Sequence, residues 1–134
     1  MQNREHAKLL LRKAKEDEFT VEKLVPDPAS PDEVIGFHAQ QAIEKMLKAV
    51  LALHSVSYRY THDLAELLDL LRQSKISFPE MLEEARQLTP YATAFRYDEL
   101  PEEPEEPFDR SWALDHVRRV RNWAESVLRE RTSG

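Results

Sequence analysis

From Asn3 to Val25, apolar side chains recur at Ala7, Leu10, Leu11, Ala14, Val21, Leu24 and Val25. This three-and-four spacing gives a helix one buried stripe. Polar positions between them carry Arg4, Lys8, Arg12, Lys15, Glu16 and Glu22, and Pro26-Asp27-Pro28 should stop the helix because proline lacks a donor and clashes with the preceding turn. Ser30 is placed to cap a second helix, Pro31 suits its first position, and Asp32 and Glu33 favour the positive end of its dipole. That helix is expected to run to about His54, with Ile35, Ala39, Ala42, Met46 and Ala49 towards the core.

Thr61 is the expected cap of a short third helix ending at Leu71, with Leu64, Leu67, Leu68 and Leu71 on one side. Ser77 and Pro79 open a fourth, whose apolar positions Phe78, Met81, Leu82, Ala85, Leu88, Ala92 and Phe95 keep step across Pro90. Proline there should kink the helix or restart it. Pro101, Pro104 and Pro107 stand every third residue, matching polyproline II and an extended connector of about 20 Å. Asp109 then caps a last helix with the stripe Ala113, Val117, Val120, Ala124, Val127 and Leu128. Such stripes can be buried only against one another, so the expected fold is all-α: a four- to five-helix antiparallel up-and-down bundle forming one domain over residues 1–134.

Composition removes several alternatives. With 134 residues, two glycines and no cysteine, the chain is long enough for a core without staples and has no disulfide, thiolate metal site or cysteine nucleophile. No signal segment opens it and no apolar run approaches a membrane span, so the expected location is cytoplasmic, with no membrane contact. Histidines and carboxylates show no recognised ligand spacing, and there is no glycine-rich phosphate loop, so neither metal nor cofactor is expected.

The net charge of −6 is carried by residues 98–108, an acidic, proline-rich connector with six acids and no base, so the remainder is neutral. From Arg110 onward, six arginines stand against three acids. An acidic belt therefore precedes a basic helix, and the belt either is simply solvated or shields the basic face.

Candidate chemistry lies mainly on the second helix. His38, Gln41, Lys45 and Lys48 are three, four and three residues apart and form one polar ridge. Such donors suit a phosphate or a base edge, or equally a neighbouring helix. Tyr91, Arg96 and Tyr97 add a guanidinium and two aromatic faces near the acidic connector, suited to phosphate and base stacking or to packing and ion pairing. Tyr58, Arg59 and Tyr60, between His54 and His62, form a further aromatic and basic cluster.

The run Phe37-His38-Ala39-Gln40-Gln41-Ala42-Ile43-Glu44-Lys45-Met46-Leu47-Lys48-Ala49 resembles the most recognisable stretch of the HEPN (higher eukaryotes and prokaryotes nucleotide-binding) domain. Thr61-His62-Asp63-Leu64 with Leu67, and Tyr91 to Tyr97 ending in Arg-Tyr, resemble its next two landmarks, in order. The resemblance implies a helical bundle that is usually a homodimer. It also implies a nucleotide- or RNA-binding module, encoded beside a small nucleotidyltransferase in prokaryotic toxin–antitoxin or defence operons. Many HEPN proteins resemble metal-independent ribonucleases with an arginine, four to six residues, then a histidine. No histidine follows Arg96 at that distance, whereas Arg110 and His116 have five residues between them and are the weaker candidates for such a pair. A third reading is a dimeric interaction scaffold using Leu9, Trp112 or Trp123.

Overall fold

The computed structural model describes residues 2–93 and 108–133. Four α-helices, α1 (Gln2–Leu24), α2 (Asp32–Leu53), α3 (Leu64–Gln73) and α4 (Arg110–Ser133), are joined by a 3-10 helix, Glu80–Thr93, between α3 and α4. No strand occurs among the described residues, and the all-α bundle expected from the pattern is what forms. α2 is the central rod. It packs along α1, α4, the 3-10 helix and α3, and its contact with α1 is the most extensive in the molecule.

This position explains why α2 is buried almost all round. Besides the expected stripe it buries Ile43, Leu47, Val50 and Leu51, and also the polar residues Gln40, Glu44 and Lys48. The leucines of α3 and Leu82, Ala85 and Leu88 of the 3-10 helix close the core on one side, and Ala113, Val117, Val120 and Ala124 of α4 close it on another. α1 and α4 are antiparallel, as cross-links from Glu22 to Arg118, Glu18 to Arg121 and Lys15 to Glu125 show.

Several local expectations are corrected. Ser30 does not cap α2: Pro31 holds the cap position without a side-chain bond, and Ser30 is buried in a turn closed by Asp27. Thr61 does not cap α3 either. Its hydroxyl accepts from the Asp63 amide (3.1 Å), and Asp63 is the cap, accepting from Ala65 N–H (2.9 Å). Asp109 does accept from the Trp112 amide (2.9 Å) at the start of α4. The fourth segment neither kinks nor restarts at Pro90 but runs through it as 3-10 helix. Leu82, Ala85 and Leu88 are buried, with Tyr91 half-buried one step on, while Glu84, Gln87 and Pro90 are exposed. A strict period of three fits three residues per turn, whereas α-helical winding would carry Tyr91 about 180° away from Leu82.

Two helices end without glycine. After α2, Ser55 N–H donates to Ala52 O and Val56 N–H to Leu51 O, both at 2.9 Å, with Ser55 at φ 59°. After α3, Lys75 (φ 60°) and Ile76 repeat the pattern on Arg72 O and Leu71 O. Both are Schellman closures, in which a left-handed residue lets two amides cover otherwise orphaned carbonyls.

Candidate functional site

Because α2 is enclosed by its neighbours, its polar ridge is open only along a narrow strip at His38, Gln41 and Lys45, all half-buried. The strip is organised by a residue of α1. Asp17 Oδ1 lies 3.0 Å from His38 Nδ1, and Asp17 Oδ2 accepts from Lys45 Nζ. The carboxylate lies beneath, with its side chain 14% exposed against 25% for each of its partners. A carboxylate can only accept, so His38 Nδ1 carries the hydrogen, and Nε2 has no partner among the described residues. Asp17 also offsets the Lys45 charge. The strip is therefore rich in hydrogen-bonding groups yet close to neutral, which suits base edges better than bare phosphate.

Gln41 does not stand alone on the ridge. Its amide donates to Gln40 Oε1 (2.7 Å), and Gln40 Nε2 donates to Glu44 Oε1 (3.0 Å) and to the His62 carbonyl (2.9 Å). Glu44, 4% exposed, also takes Lys48 Nζ (3.0 Å) and His62 Nδ1 (2.8 Å). These donors make a buried carboxylate tolerable. His62 Nε2 faces the Tyr60 hydroxyl at 3.0 Å, and Lys48 Nζ sits 5.6 and 5.8 Å from the Tyr58 and Tyr60 ring centres. Lys48 is thus a structural cation, whereas Tyr60, 83% exposed, presents an open ring beside the end of the strip. Arg59 is held by Glu66.

Tyr91 packs at the start of α2. A Cβ at Gly36 would lie 2.5 Å from its ring, so only glycine lets the ring approach, and Phe108 covers it at 5.1 Å between centroids. Burial, then Asp32 and Glu33, push its hydroxyl pKa up, keeping it neutral. Arg96 and Tyr97 lie outside the described residues.

Arg110 and His116 are turned to different surroundings. Arg110 clamps the turn between α1 and α2: its guanidinium donates to the carbonyls of Val25 (3.2 Å), Asp27 (2.8 Å) and Ser30 and to Asp32 Oδ1 (2.8 Å). His116 is 2% exposed, stacks on Trp112 at 5.0 Å between centroids, and has an Nε2 with no hydrogen-bond partner. Desolvation pushes its pKa below the ordinary value; Arg119 acts in the same direction, while Glu84 and Asp115 oppose it.

Sequence reasoning missed Asp17, Gln40 and Glu44. The last two had a signal, since Gln40, Glu44 and Lys48 are spaced by four and must meet on one helix face. Asp17 had none, standing in a charged run that looks merely solvated. Among the described residues no group of three or more histidines and carboxylates is gathered to hold a metal, and no helix is long and apolar enough to cross a membrane.

No curated protein and no solved structure matches the chain. The HEPN domain family model matches residues 7–127, from the first buried alanine of α1 to the last turns of α4. With the match spanning the whole bundle and the His38-to-Lys48 stretch forming its central rod, the chain belongs to the HEPN domain family.

Proposed function

We propose that this HEPN domain is a nucleotide- or RNA-contacting module. In this reading it acts as a homodimer and as the partner of a small nucleotidyltransferase in a prokaryotic toxin–antitoxin or defence system. Family membership supports the class of function, and one observation supports the place: Asp17 orients His38 so that Nε2 has no partner among the described residues, beside Gln41 and Lys45 on the half-buried polar strip of α2. His38 Nε2 accepts from, and Gln41 and Lys45 donate to, the edge of an unpaired base. Tyr91 is taken up in packing on Gly36 and Phe108, and it enters the proposal, with Arg96 and Tyr97, through the family resemblance alone.

The test is fluorescence anisotropy of a labelled single-stranded oligoribonucleotide, with ATP as competitor. His38→Ala and Gln41→Ala should each weaken binding about tenfold, the worth of one hydrogen bond. Unchanged affinity in both variants rejects the strip. Co-purification with the product of an adjacent nucleotidyltransferase gene tests the partner.

The ribonuclease alternative through Arg110 and His116 has less behind it. One group is spent on three backbone carbonyls and a carboxylate, and the other is buried. RNA cleavage abolished by His116→Ala in a protein that still folds would favour that alternative. For the scaffold reading, Leu9 (39% exposed) and Phe19 (58%) are open, whereas Trp112 and Trp123 are half-buried and Trp123 packs on Phe78.

A further inference from the structure

The seam between α1 and α4 changes character along its length. Near the α1–α2 turn, opposite charges face each other: Glu22 with Arg118 at 3.0 Å and Glu18 with Arg121 at 2.7 Å. Glu125 marks the crossover, shared by Arg121 (3.3 Å) and Lys15 (3.4 Å). Beyond it, bases outnumber acids on both helices, with Lys8 lying 3.9 Å from Glu5. A groove of about 380 Å³ opens there, with Leu11 and Leu128 as its apolar floor and Lys8, Arg12, Lys15 and Arg129 around it against the single acid Glu125. It is followed by a second hollow of about 260 Å³ whose charged lining is Arg4 and Arg131. Four bases against one acid leave the groove lining with an excess of positive charge.

Arg4, Lys8, Arg12 and Lys15 are four, four and three residues apart on one face of α1. At the helical rise they stand about 6 Å apart in a row about 17 Å long. A compact anion would meet only part of such a row, whereas a chain of phosphates meets all of it. The leucine floor between the two rods suits the face of an unpaired base, which a duplex keeps stacked.

We propose that this α1–α4 groove is a track for the phosphate backbone of a single-stranded polynucleotide. The cations hold successive phosphates and the leucine floor receives a base or sugar face. The track lies on the opposite edge of α1 from Asp17 and shares no residue with the α2 strip, so the two readings fail separately.

The test is anisotropy of a labelled oligouridylate on the full chain across a salt series. Lys8→Gln/Arg12→Gln should weaken binding about tenfold at about 50 mM salt and lower the slope of log affinity against log salt by about 1.4, at 0.7 per lost phosphate contact. Arg129→Gln, on the facing helix, should act in the same direction. Lys13→Gln/Lys23→Gln removes equal charge from α1 away from the groove and should change neither quantity. Thermal melts confirm that each variant is folded.

Competition separates the sources of the phosphate chain. Displacement by inorganic polyphosphate as well as by unlabelled oligomer supports recognition of phosphates alone. Displacement by the oligomer only adds a base on the leucine floor. An equal loss in the Lys13/Lys23 control, no binding at low salt, or loss confined to His38→Ala and Gln41→Ala overturns the track.

Discussion

Arg110 shows how a residue type acquires its role from the hydrogen bonds around it. Three carbonyls and one carboxylate converge where a planar, five-donor group fits and a single ammonium does not. Arg110→Lys should therefore lower stability by about 1–3 kcal/mol by leaving turn carbonyls unpaired, measured by urea denaturation; a change within 0.5 kcal/mol would mean that the clamp is not maintained in solution. His116 makes the opposite case, a titratable group held away from water. Its folded pKa is depressed, so the unfolded chain takes up a proton first, near 6.5. The stability gained by keeping the ring neutral is present above that pH and is lost as pH falls below it, towards the folded pKa. Melting temperatures at pH 7.5 and 5.5 should differ less for His116→Leu than for the unaltered chain, and an identical drop would contradict this account.

Elements were legible in the sequence where one period dominated. The stripes of α1, α3 and α4 fall where the spacing placed them, because Ala7, Leu11, Leu64, Leu68, Val117 and Ala124 each have only one possible interior. The fourth segment was harder to read. Leu82, Ala85 and Leu88 satisfy both a three-residue and a 3.6-residue period over so short a run, and only the burial of Tyr91 on the same side separates them. The polar interior of α2 was hidden for another reason. A helix surrounded by four others buries residues that an amphipathic reading assigns to solvent, so Gln40 and Glu44 became visible only with their neighbours. The closures of α2 and α3 lacked the glycine that usually announces them. Lys75 is exposed in the left-handed region, where a side chain is strained. Lys75→Gly should raise stability by about 0.5–1 kcal/mol in thermal denaturation, and a loss of stability would mean that the lysine relieves more strain than it causes.

At the scale of the whole molecule, a net charge of −6 conceals a division of surfaces. The excess of acid over base lies in the sequence 98–108, the α2 strip is near neutral because Asp17 sits under it, and the far half of the α1–α4 seam is cationic. Under the two proposals, phosphates and base edges would meet different faces, and neither face is evident from overall composition. The central claim is that the Asp17-ordered strip touches a nucleotide or RNA. Its most direct test is a nitrogen-15 NMR titration of the folded chain with a single-stranded oligoribonucleotide, following the imidazole nitrogens of His38 and the side-chain amide of Gln41. The account predicts saturable shifts at His38 Nε2 and Gln41 that disappear in Asp17→Ala. Saturable shifts elsewhere in the molecule with these two sites unmoved would contradict it.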